Sequence, residues 1–389
     1  MLQGIDLENV RSVLRHEKLD GWLLYDFRGV NAIAQRIIGV PGMATRRLFV
    51  LLPARGEPVA LAHKIELGGM KAFPGRVIPY AGWHELHDTL GSLVRNRSLA
   101  MEIYAADGVP YLDRVPAGVV DLLVKLGATL TSSAGLVSRF AARWSAQELA
   151  GHRKSAEAIA QIAKSVMADV VKAAGTAREA TIQRRILEMF DRQSLVTNDP
   201  PIVAFGANAA NPHYEPKEGS DALLRENQVV LIDLWAGPAL PSVFADQTWM
   251  GFAGSAPPAD VVKVWETVRD ARDAVVDHLT TASNAGRTVT GADLDDAARN
   301  LITERGFGDF FIHRTGHSID LELHGSGPHL DNFETHDTRT LIPGVGFSVE
   351  PGVYLEGNFG VRSEINGVML ANGKPEFTPR EAQRDLILP

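Results

Sequence analysis

The sequence predicts two domains, an α/β amino-terminal domain over residues 1–143 and an α+β carboxyl-terminal domain over residues 144–389. The chain of 389 residues, 45% of them hydrophobic, is long enough to fill two cores. From Leu19 to Ala142, short apolar runs alternate with amphipathic stretches, which is typical of an α/β layer arrangement. Beyond Arg143, long helical patterns alternate with hairpin patterns, which favours an α+β domain.

The amino-terminal domain contains five strand candidates. Each is a short apolar run bounded by polar or turn-forming residues, and they cover 21–25, 47–52, 59–62, 76–79 and 100–104. Residues 53–58, Pro-Ala-Arg-Gly-Glu-Pro, separate the second candidate from the third and predict a hairpin turn. Gly56 supplies the backbone freedom that such a turn requires.

The carboxyl-terminal domain opens with two helix starts. Ser145 is followed three residues later by Glu148, which predicts a capping box and a long helix that ends at Gly175. Thr176 and Glu179 repeat this spacing and predict a second capped helix. Apolar residues at intervals of three and four predict two further helices, over 259–279 and 292–304.

The composition excludes several classes of function. Lys and Arg number 39 against 47 Asp and Glu, a net charge of −8, so no basic field exists to attract nucleic acid or anionic lipid. The absence of cysteine excludes disulfides, thiolate nucleophiles and cysteine-based zinc sites. No apolar run approaches the ~20 residues that cross a bilayer, and the first residues do not resemble a secretory signal. We therefore expect a soluble, cytoplasmic protein that binds neither nucleic acid nor membrane.

Two acidic residues interrupt consecutive apolar strands. Asp233 lies in the run 229–236, and Asp246 lies in the run 242–249. If the strands pair as a hairpin, the two carboxylates can face one another across it. A buried carboxylate requires a cation or several hydrogen-bond donors. The alternative, that either Asp only caps or hydrogen-bonds nearby backbone, stays open at this point.

The same arrangement recurs near the carboxyl terminus. Glu350 lies in a strand pattern that begins at Gly346 and is followed by Pro-Gly, and Glu364 lies in the run 359–369, the predicted hairpin partner. Two Asp and two Glu residues, each in its own apolar strand, are difficult to explain without metal. The sequence therefore predicts that the four carboxylates share one cation site.

A histidine-rich segment lies between the two hairpins. Five of the 12 histidines fall within residues 313–336, and His317 follows Gly316, which permits close backbone approach. His317 can therefore supply an imidazole to the four carboxylates. This donor set suits a pair of divalent ions, Mn²⁺, Co²⁺ or Zn²⁺. Two such ions activate water and stabilise the oxygens of a tetrahedral transition state, so the pattern predicts a hydrolase.

The donor set resembles that of the pita-bread metallopeptidases, the family of creatinase, aminopeptidase P and prolidase (M24). The family signature of Asp, Asp, His, Glu and Glu in chain order is met here by Asp233, Asp246, His317, Glu350 and Glu364. The resemblance begins at about residue 145. It implies a pita-bread catalytic domain after a creatinase-type amino-terminal domain with a mixed sheet. It also implies two divalent ions per chain, with Mn²⁺ as first choice, and a homodimer.

The resemblance also implies roles for these ligands. Asp233 would bind one ion, His317 and Glu350 would bind the other, and Asp246 and Glu364 would bridge both. Glu350 would also accept the proton of the attacking water.

Four further residues match positions that line the family's substrate site. His324 would hydrogen-bond the substrate or the oxyanion. His313 and His213, the latter in an Asn-Pro-His-Tyr segment, would surround the proline, and Arg362 would contribute to the same pocket. The alternative for His213 is an ordinary surface position in a loop.

Three departures from the family pattern affect substrate preference. The interval between Asp233 and Asp246 is two residues longer than usual, Trp249 replaces a common Arg, and His324 is followed by Gly-Ser-Gly instead of an acid. Prolidases hold the free carboxylate of a dipeptide with an arginine. In this sequence Arg339 and His336 are the candidates for binding that carboxylate.

We therefore expect a metallopeptidase of the Xaa-Pro dipeptidase type, acting on small peptides with proline in second position. The alternatives are an aminopeptidase P that acts on longer Xaa-Pro peptides, a metal-dependent hydrolase or lyase of a small non-peptide, and a binding pseudoenzyme.

Overall fold

The computed structural model describes residues 1–2, 4–39 and 44–389. The chain forms two compact units, Met1–Ala141 and Ala142–Pro389. Within these described ranges, no helix is both long enough and apolar enough to traverse a lipid bilayer.

The amino-terminal unit is built on a six-stranded mixed sheet with the strand order β4-β3-β2-β1-β5-β6. Strand pairs β1–β2 and β2–β3 are antiparallel, whereas β3–β4, β1–β5 and β5–β6 are parallel. This confirms the predicted mixed sheet. The elements are α1 (Leu7–His16), β1 (Gly21–Phe27), α2 (Ala32–Ile38), β2 (Arg47–Pro53), β3 (Val59–His63), β4 (Arg76–Tyr80), α3 (Trp83–Val94), β5 (Ser98–Met101), α4 (Ala117–Lys125), β6 (Thr129–Ser132) and α5 (Ala134–Phe140).

Successive residues of the central strands face opposite sides of this sheet. Trp22 and Leu24 of β1 pack in the hydrophobic cluster with α1, α2 and α5, whereas Leu23 and Tyr25 pack in the cluster with α3 and α4. Both faces are covered, which explains why β1 and β2 read as continuous apolar runs in the sequence.

The predicted hairpin turn and four of the five predicted strands are confirmed within one to two residues, and Gly56 has the expected positive φ of 95°. The fifth strand lies earlier than predicted, at β5, because the chain leaves the sheet after Met101 and Glu102 is buried as a hydrogen-bond acceptor. Strand β6, Thr-Leu-Thr-Ser, was missed because it lies at the edge of the sheet and is only half-buried.

The carboxyl-terminal unit contains four α-helices and three sheets among its described elements. The sheets have the orders β7-β8-β9, β10-β11-β14-β15 and β12-β13. The elements are α6 (Ala146–Val170), α7 (Glu179–Arg192), β7 (Ile202–Phe205), β8 (Val229–Ala236), β9 (Ala245–Phe252), α8 (Ala259–Asn284), α9 (Gly291–Glu304), β10 (Ser318–Ile319), β11 (Gly346–Val349), β12 (Gly352–Leu355), β13 (Phe359–Arg362), β14 (Ile365–Met369) and β15 (Pro375–Thr378).

Helices α6 and α7 pack on one face of the β7-β8-β9 sheet. Val230, Ile232 and Leu234 of β8 point into that helix cluster, whereas Val229 and Leu231 point into the cluster with α8 and α9. The odd-numbered residues of β8 therefore face away from α6 and α7. This alternation determines which way the strand's acidic residue points.

One predicted helix start is confirmed and the other is wrong. Ser145 accepts from the backbone N–H of Glu148, whose carboxylate accepts from the Ser145 N–H, and α6 follows directly. Helix α7 instead has Arg178 as its N-cap, without a side-chain cap, and the Thr176 hydroxyl donates to the Ala173 carbonyl. Glu179 makes no capping box because its carboxylate is buried in other contacts.

The predicted hairpins are both present. Strands β8 and β9 are antiparallel, with Asp233 paired to Thr248 and Trp235 paired to Asp246. The carboxyl-terminal hairpin is interrupted: β11 pairs with β14 and β12 pairs with β13, both in the same register. That register places Glu350 and Glu364 opposite one another at the interruption, where Pro351 cannot donate to a strand ladder.

Candidate metal centre

The five predicted metal ligands line a single cavity of about 490 Å³. Ligand atoms of Asp246, His317 and Glu364 lie within 4.8 Å of one another. The Nε2 atom of His317 is 3.4 Å from Asp246 Oδ2 and 3.4 Å from Glu350 Oε1. Asp233 completes the group on the same cavity wall. The structure thus brings together five side chains that the sequence spreads over two hairpins and a loop.

The pleat of β8 and β9 aims the two aspartates into the cavity. Asp233 lies directly opposite Thr248, and Asp246 is two residues before Thr248, so all three side chains share one face. Asn366 of the neighbouring hairpin accepts from the Asp246 backbone N–H at 2.9 Å. The Thr248 hydroxyl donates to Glu364 at 2.8 Å, which links the two hairpins across the site.

The backbone around His317 approaches β11 more closely than any side chain would allow. A Cβ atom on Gly316 would lie 2.1 Å from the Ser348 carbonyl oxygen, which confirms why glycine precedes the histidine. The His317 N–H donates to Ser348 Oγ at 2.9 Å, and Ser348 Oγ donates to Glu350 Oε1 at 3.0 Å. The Glu350 N–H donates to the Thr315 carbonyl at 2.8 Å, which fixes the end of β11.

The His317 ring is oriented for ligation through Nε2. Its Nδ1 lies 3.1 Å from the Ser318 carbonyl oxygen. Nδ1 therefore carries a proton, which it donates in a hydrogen bond to that carbonyl. This leaves Nε2 directed at Asp246 and Glu350. A carbonyl on the distal nitrogen is the usual partner of a metal-binding histidine, because it fixes the tautomer.

The charges in the cavity do not balance within the protein. Six carboxylates line the cavity, those of the four candidate ligands and of Asp199 and Glu215. They meet one guanidinium, that of Arg362, which is the only Lys or Arg among the described residues lining the cavity. Arg362 forms an ion pair with Asp233 Oδ2 and donates from Nε to Thr248 at 2.9 Å. Asp233 Oδ1 and Glu364 Oε1 are buried and accept no hydrogen bond from any described group. Such atoms are costly unless a cation contacts them, so the site fits divalent ions.

The raised pKa values of Asp233 and Glu364 reflect the same deficit of positive charge. Burial raises the pKa of Asp233 to about 7 and that of Glu364 well above its ordinary range, with neighbouring carboxylates adding to the shift of Glu364. Burial alone would also raise the pKa of Glu350, but the positive charges of His317 and Arg362 outweigh burial and lower the pKa to about 2. Oxygen donors with one imidazole are the set that Mn²⁺, Co²⁺ and Zn²⁺ accept.

The comparison with known protein families decides the family. The profile described as metallopeptidase family M24 matches residues 150–369, more than half of the chain and all five candidate ligands. The chain belongs to metallopeptidase family M24. This confirms the family that the ligand order predicts.

Relatives of this M24 chain include peptidases of bacteria. It is 34% identical over 182 residues to the Xaa-Pro dipeptidase of Lactobacillus delbrueckii subsp. lactis, and the match spans 47% of this chain and 45% of the relative, less than half of either. It is 27% identical over 343 residues to the probable dipeptidase PepE of Mycobacterium tuberculosis, covering 87% of this chain and 85% of the relative.

Solved structures show the same fold over nearly the whole M24 chain. The prolidase of Thermococcus sibiricus has a TM-score of 0.69 at 24% identity, covering 98% of this chain and 99% of that one. Dipeptidase PepE of Mycobacterium ulcerans has a TM-score of 0.75 at 22% identity, covering 98% and 96%. These likenesses confirm the predicted fold class, an α/β amino-terminal domain before a pita-bread domain.

Three of the predicted substrate-site residues line the M24 cavity: His213, His324 and Arg362. The His213 side chain is exposed in the loop after β7. The His324 ring centroid lies 4.2 Å from that of His317. The charge that His317 carries when it is protonated, followed by burial, lowers the pKa of His324 to about 3, so the His324 imidazole is neutral near pH 7.

His313 is connected to the candidate metal centre by hydrogen bonds through Tyr354. Its Nδ1 lies 2.7 Å from the Arg314 carbonyl and its Nε2 lies 2.8 Å from the Tyr354 hydroxyl, to which Arg362 donates at 3.3 Å. The Tyr354 proton is therefore donated to His313, whose pKa burial lowers. This connection from His313 to Arg362 and Asp233 is a hydrogen-bond relay behind the cavity wall.

Arg339 is not brought to the site. Its guanidinium is buried and donates to the Asp337 carboxylate and to the carbonyls of Ser326 and Gly327, the last two at 2.6 Å. The other candidate, His336, is exposed and hydrogen-bonds Asn332. Neither lies among the described residues that line the cavity. Arg339 instead organises the loop that follows His324.

The sequence reasoning missed three residues. Thr248 and Ser348 hydrogen-bond candidate ligands, and Tyr354 hydrogen-bonds His313 and Arg362. Thr248 has a detectable signal, because it lies two residues after Asp246 and so on the same strand face. Trp249 points to the opposite face, where it packs with the α6 cluster beneath Lys164. Its position explains why it does not enter the cavity.

Proposed function

We propose that this chain is a Xaa-Pro dipeptidase, which uses two divalent ions to hydrolyse the peptide bond before proline in a small peptide. The convergence of four acids and one imidazole on one cavity carries this proposal, together with two buried carboxylate oxygens that accept no hydrogen bond from the described part of the chain. The name of the Lactobacillus relative, Xaa-Pro dipeptidase, supports the substrate class.

The ligands of the two ions would be Asp233, Asp246, His317, Glu350 and Glu364. When bound, the ions lower the pKa of water and place positive charge beside the scissile carbonyl. Mn²⁺ is the first choice, because oxygen donors outnumber the single imidazole.

Three residues of the chain would transfer the proton, bind the oxyanion and contact the proline. Glu350, whose carboxylate accepts a hydrogen bond from the Ser348 hydroxyl, would accept the proton of the attacking water and pass it to the leaving proline nitrogen. His324, neutral near pH 7, would donate to the oxygen that becomes the oxyanion. His213 would contact the proline at the cavity mouth.

Arg362 would act mainly through Asp233. Its donors are committed to Asp233, Thr248 and Tyr354, so it would hold that carboxylate in place instead of reaching freely for the peptide.

Metal removal tests the proposal. We expect EDTA to reduce Ala-Pro hydrolysis to background and Mn²⁺ or Co²⁺ to restore it, with metal content measured on the same samples. A second substrate, Ala-Ala, serves as the matched control and should be cleaved far more slowly. Undiminished turnover in protein shown to be metal-free, or equal cleavage of Ala-Ala, would refute the proposal.

A second candidate is an aminopeptidase P activity on longer peptides. It is favoured by the position of Arg339, whose guanidinium is held by Asp337 and two carbonyls and so does not receive a dipeptide's carboxylate. Comparing Ala-Pro with Ala-Pro-Ala separates the two: the dipeptidase prefers the first substrate, and the aminopeptidase prefers the second.

A further inference from the structure

Glu179 is a fully buried acid at the first position of α7. Its Oε1 accepts from the Phe205 N–H at 2.7 Å and from the Asn208 side-chain amide at 3.0 Å. Its Oε2 accepts from the Tyr214 hydroxyl at 2.7 Å and from the Ala222 N–H at 2.7 Å. Both oxygens are therefore saturated by donors from outside the helix.

Three of the four donors belong to one loop, residues 206–222, and the fourth, Phe205, immediately precedes that loop. Phe205 and Asn208 lie at its start, Tyr214 lies near its middle, and Ala222 closes its end. The start of α7 also holds the returning chain, because Arg178 donates to the Asp221 carbonyl at 3.0 Å. One carboxylate thus ties the beginning, middle and end of the loop to a single helix.

The tip of this loop packs mainly through Tyr214, which is half-buried against the cluster with α8 and α9, and through Pro216. Of residues 211–220, only Pro216 is buried, and most of the others are exposed. The tip nevertheless carries two residues that line the cavity, His213 and Tyr214. The described contacts of His213 give its side chain no hydrogen-bond partner, and its backbone N–H donates to the Asn211 side chain at 3.1 Å. Its place at the cavity therefore depends on how the loop is held.

We propose that Glu179 is a positioning residue for substrate binding, which holds the 206–222 loop through Tyr214 so that His213 faces the cavity. The proposal deepens the proposed peptidase function and rests on it for its kinetic readout. Glu179 lies outside the group of candidate metal ligands, so its effect should fall on substrate affinity and not on metal binding. A loop released from the carboxylate would spend only part of its time in the binding conformation, which lowers apparent affinity by that fraction.

Tyr214→Phe is the sharpest test, because it removes only the hydroxyl that donates to Glu179. We expect KM for Ala-Pro to rise about tenfold while kcat changes less than about twofold, since the chemical step is untouched. Hydrogen exchange should increase in residues 206–222 and stay unchanged in 313–319 and 346–350. Metal content should equal that of the wild type.

The control is Tyr80→Phe in the amino-terminal unit. Tyr80 also donates a hydroxyl hydrogen bond of 2.7 Å, to the Arg47 carbonyl, but it belongs neither to the 206–222 loop nor to the hydrogen bonds of Glu179. It should leave KM, kcat and exchange in 206–222 at wild-type values.

Two further variants connect the carboxylate to the histidine. Glu179→Gln should raise KM and loop exchange at least as much as Tyr214→Phe, because an amide presents a donor to groups that are themselves donors. In a His213→Ala background, Tyr214→Phe should raise KM by less than about twofold, because the histidine it positions is gone.

Hydrogen exchange keeps this proposal separate from the peptidase function. If no Xaa-Pro peptide is cleaved, the function fails, but increased exchange confined to 206–222 would still support the positioning role. Wild-type exchange in this loop for both Tyr214→Phe and Glu179→Gln would overturn it. So would a loss of kcat and metal content at constant KM.

Discussion

Glu350 has two candidate roles, as a metal ligand and as the acceptor of the proton from the attacking water. Its carboxylate is about one-sixth exposed and lies beside His317, whereas Asp233 and Asp246 are more deeply buried. We expect Glu350→Gln to lower kcat for Ala-Pro by roughly 10²–10⁴-fold, because an amide cannot accept the proton. Circular dichroism and thermal unfolding should show a folded chain.

The matched control for this residue is Glu356→Gln. Glu356 is exposed in the turn between β12 and β13, on the same hairpin. It should retain wild-type turnover. Near-wild-type activity in a folded Glu350→Gln protein would remove Glu350 from the mechanism.

At the scale of elements, Glu102 at the end of β5 makes the amino-terminal unit sensitive to pH. Burial raises its pKa from the ordinary 4.5 to about 7, although donors from Trp22, Ser133 and Asn31 partly oppose the shift. In the unfolded chain Glu102 ionises near 4.5, so its stabilising contribution is complete below that pH. The contribution is lost as the pH rises through 7.

We therefore expect the wild type to lose about 1–3 kcal/mol of unfolding free energy between pH 5 and pH 7.5, relative to Glu102→Gln. Urea denaturation of both proteins at both pH values measures this difference. Glu57→Gln, at an exposed position of the same unit, controls for the loss of a carboxylate outside this buried cluster. If the difference in unfolding free energy between the wild type and Glu102→Gln does not change with pH, the raised pKa assigned to Glu102 is wrong.

Local rules predicted elements well where the interactions were local. The Ser145 capping box needs only two residues three apart, and it forms as expected. The identical spacing at Thr176 and Glu179 fails because donors from residues 205–222 compete for the same carboxylate. Nothing in the local sequence encodes that competition, since its partners are up to 43 positions away.

At the scale of the whole molecule, the candidate site was predictable because each acid interrupts an apolar strand. Alternation along β8 and β9 then determines the face on which Asp233 and Asp246 lie. Arg339 shows the limit of this reasoning, because its proximity to a turn in sequence does not place it near the cavity. Its partner Asp337 lies only two residues away, and that short-range pair determines where the guanidinium points.

The same uncompensated acids make the stability of the whole molecule depend on cations. Without ions, buried carboxylates oppose folding, and ligands that bind only the folded state stabilise it by mass action. At Mn²⁺ concentrations about 100 times Kd, we expect the carboxyl-terminal unit to unfold roughly 5–10 °C higher than in EDTA. Scanning calorimetry of the full chain measures this shift. Asp246→Asn should abolish most of it, because it removes a candidate bridging ligand, whereas Asp309→Asn, an exposed acid after α9, should retain it. An equal shift in Asp246→Asn would mean that Mn²⁺ stabilises the chain from elsewhere.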